Sequence, residues 1–298
     1  MAASPSPPLT ILTPTYNRAH LLPRLYESLK REWPGETGAD WLIVDDGSTD
    51  GTARAVEAMA AEGIVPITHL RVPHGGKHRA LNAGFARARG DWIAIVDSDD
   101  WFLPGGLARV RAEVARAQEL GAAGVLLPLN VPKAARQYRF RRPDRALSFI
   151  ARMNEEPGFD STLIFRKPAK DRRSPVFEGE TFLAEAALMY RAWGAREIYI
   201  SNAAAVCAEY QPDGLSAQMR RNRIRAPRGA MHVYQTMLAH PLPNPLRLRA
   251  LANFGRFWWH ALLRGKRPLG PRSLSQALVL PLAWVFTLYD AYLLRRPR

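Results

Sequence analysis

Residues 75–100 read GGKHRALNAGFARARGDWIAIVDSDD, and this stretch decides the fold. A pair of glycines forms a turn, a helical segment follows, and Gly90 ends that helix. The apolar run Trp92–Val96 then predicts a buried strand, which stops at the polar cluster DSDD at 97–100. A helix followed directly by a buried strand is one unit of the alternation that is typical of an α/β protein.

The same alternation extends over the first 215 residues. Strands are predicted at Leu9–Thr13, Trp41–Val44, Val65–Val72, Val125–Leu129, Ser161–Phe165, Arg196–Tyr199 and Ala204–Tyr210. Helices are predicted at Ala19–Lys30, at Gly51–Ala61, from Pro104 to about Leu120, and at Thr181–Trp193. Strands that alternate with helices indicate a doubly wound, mainly parallel sheet with helices on both faces.

Acidic residues follow two of these strands at the point where each strand ends. Asp45 and Asp46 come after the second strand, and Asp97, Asp99 and Asp100 come after the fourth. In open α/β sheets, ligands bind outside the carboxyl ends of the strands. Alternate positions of an extended segment point the same way, so Asp97 and Asp99 can share a face that attracts Mg²⁺ or Mn²⁺. In the alternative interpretation, the acids only cap helices and solvate loops.

Several common catalytic patterns are absent from the sequence. It has no GxGxxG after the first strand and no GxxxxGK[ST], which argues against a dinucleotide oxidoreductase and a P-loop NTPase. It also lacks HExxH and GxSxG. The seven histidines form no ligand cluster, and we expect His74 and His78 to be surface or substrate-adjacent residues. The single cysteine, Cys207, excludes an internal disulfide and fits a reducing compartment.

Three segments taken together resemble the family 2 glycosyltransferases of the GT-A fold. They are LTILTPTYNRAHLLPRLYESL at 9–29, LIVDDGSTDGT at 42–52, and the stretch at 75–100. A weaker similarity, to a bacterial subgroup of the family, continues through FEGETFLAEAALMYRAW at 177–193 and EYQPDGLS at 209–216. The resemblance implies an enzyme that transfers a sugar from a nucleotide-sugar to an acceptor and inverts the anomeric carbon.

The resemblance also implies which residues bind the donor and the metal. The donor-binding residues would be Pro14, Thr15, Tyr16, Asp46, Lys77, Asn82 and Asp97. Asp46 would accept a hydrogen bond from the base of a uridine nucleotide. Asp97 and Asp99 would form the family's DxD motif, with Asp97 near the ribose and the metal and Asp99 on the metal. The expected cofactor is Mg²⁺ or Mn²⁺.

The family's catalytic base is an acid at the start of a helix in the second half of the domain, often within a Glu-Asp pair. That pair is absent here, because Glu185 is followed by Ala186 and Glu180 by Thr181. We expect Glu185 to be the base, with Glu180 second and Glu178 third. In the alternative interpretation, these acids merely begin and solvate a helix.

The positive charge is concentrated in the C-terminal third of the chain. Ser216–Arg298 holds 15 Lys and Arg residues against one acid, Asp290, so +14 of the total net charge of +15 lies there. We therefore expect a catalytic domain at residues 1–215 and a basic, aromatic-rich helical region at residues 216–298. Such a charge block favours a phosphate-rich partner, either lipid headgroups or nucleic acid.

The last apolar run, Leu274–Leu294, would be about 31 Å long as a helix. Gln276, Thr287 and Asp290 fall on one narrow face of that helix, which leaves a wide apolar face. This pattern suits a helix that lies in a membrane interface, near an anionic surface. Packing on the catalytic domain and crossing the bilayer are the alternatives.

The expected function is that of an inverting, metal-dependent glycosyltransferase of cell-envelope glycan synthesis. It would move a sugar from a nucleotide-sugar, in particular a UDP-sugar, to a glycan or lipid-linked acceptor. The opening residues MAASPSPPLT show no signal-peptide pattern, so we expect a cytoplasmic protein, peripheral at the inner face of the membrane.

Two other classes of function share some of these features. A sugar-nucleotide nucleotidylyltransferase shares the α/β plan, but TPTYNRAH at 13–20 replaces its phosphate-binding loop. A basic nucleic-acid-binding module would leave the acids at the strand ends unexplained, so we expect no nucleic-acid partner.

Overall fold

The computed structural model describes residues 8–34, 38–132, 134, 137–156, 160–209 and 211–295, with the backbone alone for 171 and 291–295. Most of the segment on which the signal-peptide expectation rests, at 1–7, lies outside the described residues. Tyr210, the end of one expected strand, also lies outside them.

The strands of the described residues form one large sheet and one small ribbon. They are β1 (Leu9–Thr15), β2 (Ala39–Asp45), β3 (Ile67–Arg71), β4 (Trp92–Ile95), β5 (Trp101–Phe102), β6 (Gly124–Pro128), β7 (Arg145–Ser148), β8 (Ser161–Arg166), β9 (Glu197–Ile200) and β10 (Val206–Cys207). The order in the large sheet is β3-β2-β1-β4-β8-β6-β9-β7. The first four of these run parallel, as does the pair β6 and β9, whereas β8 and β7 are antiparallel to their neighbours.

Helices cover both faces of the large sheet. In chain order they are α1 (Leu22–Glu32), α2 (Thr52–Ala61), α3 (Lys77–Arg87), α4 (Gly106–Glu119), α5 (Phe149–Glu155), α6 (Ala186–Ala192), α7 (Met219–Arg225), α8 (Pro227–Leu238), α9 (Asn244–Leu263) and α10 (Leu274–Arg295). Along β1, Leu9 and Ile11 join the core with α1, α2 and α4, whereas Leu12 joins the core with α3, α5 and α6. The alternation of side chains along a strand thus gives the sheet two apolar faces. The expected α/β architecture is confirmed.

The first strand extends two residues beyond its expected end. Pro14 and Thr15 pair with Val44 and Asp45 of β2, whereas the pairing with β4 stops at Leu12. Proline cannot donate to a β-ladder, and here it lies where the strand has a partner on one side only. The extension carries Thr15 to the edge of the sheet at which the acids lie.

The helix expected over Thr181–Trp193 begins later, at Ala186. The preceding residues are not helical because their carbonyl groups pack against glycines of other elements. A Cβ atom on Gly76 would lie 1.7 Å from the Thr181 oxygen, and one on Gly229 would lie 2.7 Å from the Phe182 oxygen. These long-range contacts override the helical spacing of the sequence.

The C-terminal region is helical and has a core of its own. Residues of α7, α8 and α9, among them Ile224, Met231 and Phe254, form one buried cluster. A smaller cluster, which includes Leu183 and Val233, packs α8 against the segment that leads into α6. The expected division of the chain at residue 215 falls in the loop before α7 and stays a prediction. None of the described helices combines the length and the hydropathy of a membrane span.

Candidate active site

A cavity of about 1310 Å³ opens at the carboxyl ends of β1, β2 and β4. It is larger than the roughly 300–1,000 Å³ typical of a small-molecule site. Tyr16, Asp46 and the cluster at 97–100 line one side, and Glu185 lines the cavity beside them. Met219, Asn222, Arg223 and Arg225 of α7 contribute to its wall. The C-terminal region therefore forms part of the site.

One end of the cavity holds a fixed carboxylate beside a stack of two rings. The Asp46 carboxylate accepts hydrogen bonds of 2.8 Å from the backbone N–H groups of Gly75 and Gly76. The His74 Nδ1 atom lies 2.9 Å from Asp46 Oδ2, and the His74 ring stacks on Tyr16 with 4.2 Å between the ring centroids. Tyr16 is exposed, so this end offers a planar surface next to a negative charge.

The glycine turn at 75–76 is required by this geometry. Gly76 has φ +94°, a conformation that favours glycine, and its missing side chain lets the Thr181 carbonyl approach. The turn therefore fits between Asp46 on one side and the segment before Glu185 on the other. This contact brings the second half of the domain to the ends of the parallel strands.

Lys77 joins two carboxylates at the centre of the cavity. Its Nζ atom lies 2.6 Å from Asp97 Oδ2 and 2.7 Å from Glu185 Oε1. Burial lowers the pKa of Lys77, but the charges of Asp97 and Glu185 raise it further, so the net shift is upward. Lys77 is therefore charged at neutral pH and holds the start of α6 against the end of β4.

The acids after β4 crowd one another. Burial, followed by the charge of Asp97, raises the pKa of Asp99. Burial and the charges of Asp97 and Asp99 raise the pKa of Asp100 to about 9. Negative charge in this cluster is thus under-compensated by its surroundings.

These acids fit a divalent cation that is held partly by substrate. The Asp97 Oδ1 atom is buried without a hydrogen-bond partner, and Asp99 lines the same cavity. Among the described residues, no three His, Cys, Asp or Glu side chains are grouped to hold a metal alone. Mg²⁺ is usually bound by one or two carboxylates together with substrate phosphates, and the donor set here matches that pattern.

Three of the expected site residues lie elsewhere. The Asn82 side-chain amide makes two hydrogen bonds, of 2.7 and 3.0 Å, with the backbone of Ser174. The Glu180 carboxylate, 1% exposed, accepts from the N–H groups of Arg228 and Gly229 at the start of α8 and pairs with Lys266. Glu178 is exposed to solvent. None of the three is among the described residues that line the cavity.

Two residues at the site were not assigned roles by sequence reasoning. His74, expected at the surface or near the substrate, contacts both Tyr16 and Asp46. The same expectation is wrong for His78, which is buried and is not among the described residues that line the cavity. Arg24 of α1 donates to the Asp99 carbonyl at 2.5 Å and lies over the Trp101 ring, 3.9 Å from its centroid. Arg24 thereby fixes the loop that carries the acids, and no pattern within α1 distinguishes it from a surface arginine.

The fold and this acid-lined cavity are those of an α/β enzyme, and comparison with known sequences gives its family. The sequence model described as "Glycosyl transferase family 2" matches residues 10–169. The chain belongs to this family and is a family 2 glycosyltransferase, as expected from its motifs.

Among curated relatives, the match to the succinoglycan biosynthesis protein ExoO of Rhizobium meliloti is long. The identity is 28%, over 95% of this chain and 83% of that protein. The undecaprenyl-phosphate 4-deoxy-4-formamido-L-arabinose transferase of Klebsiella pneumoniae is 33% identical over 37% of this chain and 34% of that protein. The chain spans about a third of the length of several other curated relatives as well.

Solved structures show the fold. The Staphylococcus aureus TarS 1–349 complex with UDP-GlcNAc superposes with a TM-score of 0.59 at 17% identity, over 95% of this chain and 81% of that one. The mannosyltransferase PcManGT from Pyrobaculum calidifontis, in complex with GDP-Man and Mn²⁺, gives 0.56 at 18% identity, over 97% and 85%. The expected GT-A fold is confirmed.

Proposed function

We propose that the chain is an inverting, metal-dependent glycosyltransferase. It transfers a sugar from a UDP-sugar to a glycan or lipid-linked acceptor at the cytoplasmic face of a membrane. The observation that carries this proposal is the meeting of Lys77, Asp97 and Glu185 in a cavity that also holds Tyr16 and Asp46. The residues that would bind the donor, hold the metal and accept the proton of the acceptor therefore line one cavity.

The nucleotide would occupy the end of the cavity at Tyr16. Its base would stack on the exposed aromatic ring, and Asp46 would accept a hydrogen bond from the base. The backbone N–H groups that already hold the Asp46 carboxylate keep it oriented. A uracil N–H is a suitable donor to a carboxylate, which supports a uridine nucleotide. Asn82 is left out of this donor site because its amide is bonded to Ser174.

Asp97 and Asp99 would hold Mg²⁺ or Mn²⁺ together with the diphosphate of the donor. The ion would stabilise the negative charge that develops on the departing diphosphate. Lys77, which is charged and lies 2.6 Å from Asp97, would add a second positive charge near the phosphates. Arg24 would keep the loop of Asp99 in place through its carbonyl group.

Glu185 would act as the general base. As the acceptor oxygen attacks the anomeric carbon, its proton passes to the Glu185 carboxylate. The bond from the anomeric carbon to the diphosphate oxygen breaks on the opposite face, and its electron pair leaves with the nucleotide. A single displacement of this kind inverts the anomeric carbon and needs no enzyme nucleophile. Cys207 is buried, in agreement with a structural position.

The acceptor would enter between Glu185 and α7, which contributes to the cavity wall. The relatives named above include a succinoglycan biosynthesis protein and an undecaprenyl-phosphate sugar transferase, which supports a cell-envelope glycan or a lipid-linked acceptor. The charge of +14 on Ser216–Arg298 supports a site of action at an anionic membrane surface.

The test is calorimetric titration of the full chain with UDP, UDP-sugars and GDP-mannose, with and without Mn²⁺. We expect UDP and at least one UDP-sugar to bind, with affinity that falls when Mn²⁺ is removed by a chelator. The matched variant Asp99→Asn should lose the Mn²⁺ effect and keep its fold. Absence of nucleotide binding under all these conditions would overturn the proposal.

A further inference from the structure

Helix α10 packs with its polar face toward the protein and its apolar face toward solvent. Gln276, Thr287 and Asp290 are buried, together with Ala283. The opposite face is exposed and carries large apolar side chains, namely Leu274, Leu278, Leu282, Val285, Phe286, Leu288 and Tyr289. We call these seven residues the outer face of α10. Surface helices of soluble proteins show the reverse arrangement.

A buried cluster of charges fixes this orientation. The Asp290 carboxylate, fully buried, bonds to Arg256 and to His260, 2.8 Å away, on α9, and to Arg220 on α7, 2.7 Å away. Burial alone would raise the pKa of Asp290, but the hydrogen bonds from His260, Arg256 and Arg220 lower it below its usual range. Rotating α10 would separate a buried carboxylate from its partners, so the helix is held with its outer face outward.

Further contacts along α10 hold the same rotation. The Thr287 hydroxyl donates to the Arg256 carbonyl at 3.2 Å. The Trp259 indole N–H donates to the Leu280 carbonyl at 2.7 Å, and the Gln276 side chain accepts from the Arg272 N–H. These bonds lie along the length of the helix, so the exposure of the outer face is not confined to one end.

An apolar stripe of seven side chains exceeds the scattered apolar residues that monomer surfaces carry, and such a stripe is a binding surface. The charged residues around the outer face of α10 indicate which kind of partner it binds. Exposed Arg264, Arg267 and Arg272 lie in and beside the turn between α9 and α10, and Leu262 and Leu263 are exposed next to them.

Within the described part of Ser216–Arg298, no exposed acid offsets these arginines. Asp290 is the one acid of Ser216–Arg298, and it is buried. A second copy of the chain would bring this positive surface against another positive surface. An anionic lipid layer complements it instead, because phosphates meet the arginines and the acyl region meets the stripe.

We propose that the outer face of α10 inserts into the interfacial layer of an anionic bilayer, with α10 parallel to the membrane plane. This deepens the membrane part of the proposed function and rests on it, since it names the surface that docks. The arginines of the α9–α10 turn bind headgroup phosphates. Attachment of this kind has a salt-sensitive electrostatic part and a salt-resistant apolar part.

The test is co-sedimentation of the full chain with vesicles of phosphatidylcholine alone or mixed with phosphatidylglycerol, at low and high salt. The variant Leu278→Glu/Leu282→Glu replaces two residues that are 65% and 73% exposed. Leu120→Glu, at a leucine 47% exposed at the end of α4, is the matched control. We expect the double variant to lose high-salt binding to anionic vesicles by about tenfold or more, and the control to bind normally.

Thermal unfolding of each variant checks that the fold is intact. Equal sedimentation of the double variant and the wild type at high salt would overturn the proposal. The proposal would also be overturned if the wild type does not bind vesicles and forms a dimer that the double variant does not form. A second copy of the chain would then cover the outer face of α10. UDP binding on the same samples separates the two proposals. If the wild type does not bind UDP, the proposed transferase reaction is wrong. If the wild type binds UDP normally but does not bind vesicles, only the proposed membrane docking of α10 is wrong.

Discussion

Glu185 and Glu180 both precede α6, yet their contacts predict opposite effects of replacement by glutamine. Glu185 lines the cavity and pairs with Lys77, whereas Glu180 is buried against the start of α8. Glu185→Gln should lower the turnover of donor by about 10²–10⁴-fold, because the base is lost from the chemical step. Its pair with Lys77 is partly exposed, so the free energy of unfolding should change by less than about 1 kcal/mol.

Glu180→Gln should act on stability instead. The substitution removes the charge from a carboxylate that accepts two backbone N–H bonds and pairs with Lys266. Losing one partner of a buried ion pair costs about 3–5 kcal/mol of unfolding free energy. The amide nitrogen of the new glutamine would also face a backbone N–H group, and a buried donor left without an acceptor costs about 1–3 kcal/mol. Because glutamine keeps one oxygen acceptor, we expect a loss of about 3 kcal/mol, which lowers Tm by about 5–10 °C.

The assay combines donor hydrolysis with thermal unfolding on the same preparations. Water replaces the acceptor in hydrolysis, so the base is tested before the natural acceptor is known. Glu178→Gln is the matched control, because Glu178 is exposed and close in sequence, and it should change neither measurement. Near-normal turnover of Glu185→Gln, with a folded but inactive Glu180→Gln, would refute this assignment of the two glutamates.

Three further predictions concern other residues of the structure. Asp99→Ala should abolish Mn²⁺-dependent donor binding in calorimetry while Tm stays within about 2 °C, as for surface substitutions. Lys77→Met should lower the turnover of donor in the hydrolysis assay, because it removes the cation that lies between Asp97 and Glu185 and holds the start of α6 against the end of β4. Asp290→Asn should lower the free energy of unfolding at pH 7 by about 3–5 kcal/mol in urea titrations. The folded-state pKa of Asp290 is lowered, so this difference should be present above about pH 4 and shrink as the pH falls below it.

The parallel half of the sheet and the acids at its edge could be predicted because their signals are local. Strand periodicity located β1, β2 and β4, and the rule that ligands bind at the carboxyl ends of strands indicated Asp46, Asp97 and Asp99. Each of these inferences needs only a few neighbouring residues and the general geometry of α/β sheets.

The position of Asn82 could have been questioned from the sequence. Lys77 and Asn82 lie five residues apart on α3, which places them about 140° apart around the helix. They therefore point in different directions, and the structure shows Lys77 in the cavity and Asn82 on Ser174. The family resemblance implied that both residues bind the donor, whereas the helical spacing favours only one of them facing the cavity.

The environments of Glu180 and Glu185 could not be told apart from the sequence. Both acids stand before the apolar residues of α6, and both match the local pattern of a helix start. What separates them is a contact between Glu180 and α8, almost fifty residues further along the chain. Such a contact depends on how the C-terminal region packs on the catalytic domain, which no local pattern encodes.

The polar stripe of α10 was visible in the sequence, which favoured an apolar face turned toward a membrane but left packing on the catalytic domain as an alternative. Amphipathic spacing identifies two faces, and the usual assumption is that the apolar one packs inward. Here the surroundings reverse this assumption, because Asp290 is the one acid among many arginines and is buried between Arg256 and Arg220. Since α7 supplies Arg220 to this cluster and Arg223 to the cavity wall, one short helix connects the orientation of α10 with the site at which an acceptor would bind. The Asp290 carboxylate, which holds the outer face of α10 toward solvent, therefore contacts the same helix that forms part of the wall of the proposed active site.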